Sequence, residues 1–191
     1  MDKMENMNKK FLFFFGAIPK NEKRVDFTCL SNWFKCKFQD GEEGFEGLEY
    51  CCVEQYMMAK KALIFGDGES YKKIMGSTEP KEIKALGRKV QGFRKDVWDR
   101  QCDKILIAGL YYKFSQNEEL KRYLLWTGDR VLAEANPWDT IWGIGMAFGE
   151  EGIEDEANWK GQNKLGKCLM RVREVLKEQE EALKQRQRKG G

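Results

Sequence analysis

From Val53 to Phe65 the chain runs through Glu54, Gln55, Tyr56, Met57, Met58, Ala59, Lys60 and Lys61 with neither proline nor glycine before Gly66. A run of such strong helix formers predicts a helix. At a helical advance of about 100° per residue, Glu54 and Lys61 fall about 20° apart on the helix circumference, one above the other. Val53, Met57 and Ile64 form a row on one side of that line, and Met58 and Phe65 form a row on the other. An acid and an amine therefore share a groove between apolar walls. Seven residues of rise is about 10 Å, too far for a good direct salt bridge, so the two groups can bracket a bound molecule. Lys60 falls in the Val53 and Met57 row, and periodicity alone leaves it in competition with Lys61 as the reactive amine.

The 191-residue chain supplies enough length for one substantial core. Phe11 to Gly16 is short, aromatic-rich and closed by Gly16 and then Pro19, which marks a buried strand. Phe27 to Phe38 reads as a strand or irregular segment, and Leu48 to Cys51 as a short strand feeding the Glu54 helix. Further helices are expected at Ser70 to Met75, from Pro80 to about Val90, from Lys95 to Phe114 and from Glu118 to Trp126, with Pro80 in a first turn that tolerates it. Val131 to Ala135 reads as a strand ended by Asn136 and Pro137. A last helix begins after Asn163, a candidate N-cap, and buries Leu165, Leu169, Val172 and Leu176. The expected fold is α+β, a mainly α-helical single domain with a small antiparallel sheet from the N-terminal strands. Residues 1–10 read as a disordered tail, 11–176 as the domain, and 177–191 as a charged, solvated extension.

Composition narrows the chemistry. The sequence contains no histidine, which excludes Ser-His and Cys-His nucleophile pairs, histidine-ligated zinc and a histidine general base. Carboxylates, lysines, tyrosines and thiols must do whatever chemistry occurs. Six cysteines occur without a Cys-x-x-Cys pair, so they read as reduced, mostly buried thiols of an intracellular protein, cytoplasmic or nuclear. The longest apolar stretch, Phe11 to Ile18, is too short to span a bilayer. With 34 basic and 31 acidic side chains, the charge permits a polyanionic partner without demanding one. No metal, cofactor or obligate protein partner is called for.

Three other places could carry chemistry. Lys113 continues the buried stripe of Leu106 and Leu110, where a snorkelling lysine is the simpler reading. Asp139 lies among Trp138, Trp142, Gly143 and Gly145, a pattern suited to close ligand approach, hydroxyl binding and stacking, and also to a tight turn plugged by its tryptophans. Lys160 to Lys167 combines lysines with a helix start at Asn163, which favours anions, although a capped surface helix is the simpler reading.

Taken in order, these stretches resemble the NADAR family, the YbiA-like N-glycosidases. Phe27 with Leu30-Ser31-Asn32-Trp33-Phe34 is similar to its Phe-Ser-Asn-Phe motif, and Glu54-Gln55-Tyr56 through Ala62 to its Glu-His-Tyr helix, with the family lysine falling on Lys61 rather than Lys60. Leu86-Gly87-Arg88, Trp98, Lys113-Phe114-x-Gln116-Asn117 and Leu124-Leu125-x-Thr127-Gly128 resemble the middle blocks. Asp139-x-x-Trp142-Gly143-x-Gly145 and Gly161-x-Asn163-x-Leu165-Gly166 resemble the closing ones. The departure is Gln55, where the family often carries histidine; glutamine can bond but cannot shuttle protons at neutral pH.

The resemblance implies hydrolysis of the bond between ribose C1 and a base amine. Glu54 and Lys61 would be catalytic, with Lys61 forming a Schiff base, and Asp139 would orient ribose hydroxyls or water. Asn32, Trp98, Lys113, Trp142, Gly143 and Asn163 would bind substrate. The favoured substrate is ADP-ribosylated guanine in DNA or RNA, or an ADP-ribose-like small molecule. Phosphoribosylamino-pyrimidine intermediates of riboflavin synthesis are the runner-up, and a noncatalytic ADP-ribose or nucleotide reader is the third reading.

Overall fold

The computed structural model describes residues 10–19, 21, 24–41, 44 and 47–189. Residues 1–9 of the expected tail, parts of the charged loop at 20–24 and of the turn at 40–47, and the last two residues lie outside that set. The chain divides into two compact units, Ser31–Glu118 and a second built from residues up to Leu30 together with Glu119 onward.

The Ser31–Glu118 unit contains β2 (Phe38–Gln39), β3 (Glu49–Tyr50), α1 (Val53–Ile64), α2 (Gly68–Gly76), α3 (Pro80–Arg88) and α4 (Lys95–Gln116). β2 and β3 form a short antiparallel pair, Phe38 opposite Tyr50 and Gln39 opposite Glu49. Helix α1 is the hub of this unit, packing against α2, α3 and α4. Two glycines set how closely its neighbours approach. A Cβ on Gly87 would lie 2.0 Å from Met58 Sδ, and one on Gly109 would lie 2.8 Å from the Tyr56 ring. Both helices can therefore sit against α1 only because those side chains are missing. The Asp67 side chain caps α2 by accepting the Ser70 N–H at 3.0 Å, and Pro80 opens α3, where its missing N–H costs nothing.

The other unit holds β1 (Phe11–Phe14), a 3₁₀ turn (Phe27–Leu30), β4 (Val131–Glu134), a second 3₁₀ turn (Glu156–Asn158), α6 (Lys164–Lys189) and most of α5 (Glu118–Trp126). β1 pairs with β4, and the pairing is parallel, with Phe11 opposite Val131 and Phe14 opposite Glu134. The antiparallel expectation thus describes the β2–β3 pair, while β1 finds its partner more than a hundred positions away, where no local pattern could announce it. The buried stripe of α6 is the expected one, Leu165, Leu169, Val172 and Leu176. Beyond it the helix continues to Lys189 with an exposed surface through residue 188. Two buried guanidiniums stabilise the end of α5. Arg130 donates to the Trp126 and Thr127 carbonyls at 3.0 and 2.8 Å, and Arg173 donates to Thr127 Oγ1 and the Arg130 carbonyl at 2.8 and 2.9 Å. Cations suit a helix C-terminus. Among the described residues, no helix is long and apolar enough to cross a membrane.

Candidate active site

The start of α1 is assembled by groups that the sequence places far apart. Cys52, the N-cap, supplies no side-chain cap; instead the Glu54 N–H donates to the Asn32 carbonyl at 3.0 Å. Glu54 is buried at 7% exposure, in a first turn whose dipole favours its negative charge. Gln55 is wholly committed to structure: its Oε1 accepts the Cys51 N–H at 2.8 Å, and its Nε2 donates to the Ile74 and Ser77 carbonyls at 3.1 and 2.9 Å. The residue at the family's histidine position here ties α1 to the end of α2.

One turn and a half further on, Lys60 and Lys61 part company. Lys60 Nζ lies 2.8 Å from Asp40 Oδ2, with both side chains buried, and 5.4 Å from the Tyr56 ring. Lys61 Nζ donates to the Gly87 carbonyl at 2.7 Å. It lies over the Phe93 ring at 4.1 Å and the Trp98 ring at 5.7 Å. Burial holds its pKa below the ordinary lysine value, and the Glu54 carboxylate opposes part of that shift. An ammonium in such a corner has lost water and gained one carbonyl and two ring faces, so the neutral amine is the form that burial favours. Phe93 was not expected from the sequence; it follows Gly92, whose positive φ of 69° turns the chain there.

Asn32 is buried, its Nδ2 sits 3.9 Å from Met57 Sδ, and its Oδ1 has no hydrogen-bond partner among the described residues. A buried acceptor left open costs free energy unless something occupies it. Lys113 is fully buried, so the snorkelling reading does not describe it. Its Nζ donates to the Ser31 carbonyl at 2.9 Å and lies over Phe34 and Phe114 at 5.3 and 5.1 Å. The structure thus gathers Asn32, Glu54, Lys61, Trp98 and Lys113 within one unit, around the helix α1 and the segments packed on it.

Asp139, Trp142, Gly143 and Asn163 belong to the other unit. Asp139 Oδ1 accepts the N–H groups of Ile141 and Trp142 at 2.9 and 2.8 Å, which closes a tight turn. Gly143 fits where a Cβ would meet the Asp139 and Glu134 carbonyls at 2.9 and 3.0 Å. Asn163, at a positive φ of 51°, commits its amide to β4: Nδ2 donates to the Leu132 carbonyl at 2.9 Å and Oδ1 accepts the Glu134 N–H at 3.3 Å. Its amide clips α6 to β4. The first two N–H groups of α6, on Lys164 and Leu165, already donate to the Ile141 and Trp142 carbonyls at 3.2 and 3.1 Å, which leaves less of this helix start open to an anion than its sequence implied. Lys164 Nζ lies 5.8 Å from the Trp142 ring.

The sequence profile of the NADAR domain matches residues 19–177. The chain belongs to the NADAR family. The chain is 43% identical over 165 residues to a protein of Acanthamoeba polyphaga mimivirus named as an N-glycosidase, covering 86% of this chain and 95% of that one. The protein irg-1 of Caenorhabditis elegans is 34% identical over 184 residues, covering 90% of this chain and 82% of its own. The NMR structure of the E. coli protein YbiA shares the fold of this NADAR chain, with a TM-score of 0.68 at 23% identity over 93% of this chain and 92% of that one.

Proposed function

We propose that this NADAR protein is an N-glycosidase that hydrolyses the bond between ribose C1 and a base amine, with Lys61 as the nucleophile and Glu54 as the acid and base. The observation that carries the reading is the environment of Lys61: an amine buried against two aromatic rings, on the same helix as a buried carboxylate that it senses electrostatically. The viral relative named as an N-glycosidase supports the reaction class.

The chemistry follows from these groups. A neutral Lys61 amine still has an N–H for the Gly87 carbonyl, and that bond leaves its lone pair to be aimed. As the ribose ring of a ribosylamine opens, C1 becomes an imine carbon. Lys61 Nζ attacks it, the C1–N bond to the base breaks, and the departing amine takes a proton from Glu54. The lysine Schiff base then accepts water, whose proton passes to the Glu54 carboxylate. Collapse frees the sugar and restores the amine. Asn32 Oδ1, with no hydrogen-bond partner among the described residues, accepts a hydroxyl or N–H of the bound substrate, and Trp98 walls the site.

For substrate, the reading extends to ADP-ribose carried on the exocyclic amine of guanine in nucleic acid. The modest excess of basic side chains supports a polyanionic partner. Borohydride trapping tests the chemistry: with ADP-ribosylated guanine oligonucleotide, a covalent adduct forms on wild type and on Lys60→Ala and is lost in Lys61→Ala. An adduct that survives Lys61→Ala refutes the nucleophile. Turnover of a phosphoribosylamino-pyrimidine with none on the oligonucleotide refutes the substrate.

A further inference from the structure

Immediately before α1 two cysteines stand in succession, and the mechanism uses neither. Cys51 Sγ and Cys52 Sγ lie 3.9 Å apart, in van der Waals contact. Cys52 is fully buried while Cys51 is only partly covered, so one sulfur is open to a reagent and the other is held behind it. The backbone around them is fixed at both ends: the Cys51 N–H is bonded to Gln55 Oε1 and its carbonyl accepts the Cys36 N–H at 2.9 Å. This pairing also brings a third thiol, Cys36, to the neighbourhood.

The two thiols are not equivalent. The hydrogen bond shared with Cys52 is the largest influence holding the Cys51 thiol below its ordinary value, against the opposing effect of burial and with help from the nearby Lys35 ammonium. The same bond, together with burial, pushes Cys52 up. Of the two, Cys51 is therefore the more readily ionised and Cys52 the one that holds its proton.

We propose that Cys51 is a site of reversible oxidation by hydrogen peroxide, with Cys52 as the thiol that captures the oxidised sulfur. In the first step the Cys51 thiolate attacks one peroxide oxygen, so that an S–O bond forms, the O–O bond breaks, sulfur is oxidised and hydroxide leaves. In the second step the Cys52 sulfur attacks the sulfenic acid: an S–S bond forms, the S–OH bond breaks, and the Cys52 proton leaves with the hydroxyl as water. One peroxide and two thiols give one disulfide and two waters. Ring closure between adjacent residues demands that the two sulfurs approach to about 2.05 Å. It cannot be accommodated without moving the peptide that Gln55 and Cys36 hold, so the start of α1, and Glu54 with it, is where the modification is felt.

Reactivity gives a rate to expect. A thiol lowered from the ordinary range carries more thiolate at pH 7 than a free cysteine, and that gain outweighs the weaker nucleophilicity of its sulfur. Wild-type protein treated with hydrogen peroxide should lose about 2 Da in the tryptic fragment spanning residues 38–60, which contains both cysteines, and dithiothreitol should restore the mass. In Cys52→Ser, dimedone should label Cys51 and leave the other thiols unlabelled. Initial oxidation of Cys51 should be severalfold faster than that of an unstructured cysteine peptide at about pH 7. A disulfide that joins fragment 38–60 to the peptide carrying Cys36 would overturn the assignment of Cys52, and an unchanged wild-type fragment would overturn the site. Neither reading of the fragment depends on glycosidase turnover, so this proposal and that of the lysine nucleophile fail separately.

Discussion

Lys61 Nζ donates to the carbonyl oxygen of Gly87 at 2.7 Å. Gly87 is also the residue at which α3 touches Met58 of α1, where a Cβ would lie 2.0, 2.6 and 3.1 Å from Met58 Sδ, Cγ and Cβ. One glycine therefore sets both the helix spacing and the position of the amine.

Gly87→Ala should separate these helices. Met58 can swing its sulfur aside, but its Cβ is fixed to the backbone, and overpacking of this kind costs about 1–3 kcal/mol. Urea unfolding should show that loss, and the trapped Schiff base should form more slowly because the carbonyl has moved off the amine. Unchanged trapping with lowered stability would detach Gly87 from the chemistry.

Replacing Glu54 by glutamine separates the two influences on Lys61. Burial lowers the amine's pKa and the Glu54 charge raises it, so Glu54→Gln should lower it further. The wild-type rate should fall as pH drops through the depressed pKa, because the nucleophilic amine is lost to protonation. Turnover by Glu54→Gln should drop about 100- to 10,000-fold. The pH dependence of Lys61 acylation, read by mass spectrometry, checks the shift, and a move to higher pH would contradict it.

The same depressed pKa has a stability counterpart. Between its folded value and the ordinary 10.5, the unfolded chain binds more protons at Lys61 than the native one. Stability from this group therefore rises with pH through that window and is reduced below it. Lys61→Met should flatten that rise in a series of urea titrations. A rise of the same size in the variant would mean that Lys61 is not its source.

Gln55→Ala leaves one N–H and two carbonyls of the α1 and α2 junction without their side-chain partner. Burial makes that loss expensive, about 2–3 kcal/mol. Gln55→His should recover only part of it, since an imidazole has two nitrogens for three partners. Chemical denaturation of both variants measures the difference, and an alanine variant as stable as wild type would show that the clamp contributes nothing.

Much of this was legible in the chain. The Glu54 helix, its two methionine walls and the α6 stripe follow from spacing, because periodicity is local. The roles of particular polar side chains were not. Asn163 reads as a cap and acts as a clip on β4, because the Leu132 carbonyl and Glu134 N–H that it bonds are about thirty positions away. Gln55 reads as a defective histidine and proves to be a brace whose partners, Ile74 and Ser77, lie in the next helix and just beyond it. The β1–β4 pairing escapes for the same reason: a strand's own residues say that it needs a neighbour, not which one. Periodicity could not separate Lys60 from Lys61 because the decisive features, Asp40 and Phe93, sit on turns outside the helix.

Two lysines adjacent in sequence thus stand in opposite surroundings, one against a carboxylate and the other against aromatic rings. An amine-directed acylating reagent meets both in one experiment, at one protein concentration and one pH. The ratio of their adducts is a built-in calibration: whatever alters reagent, temperature or handling divides out, and what remains reports how differently the two helix faces hold and present an amine.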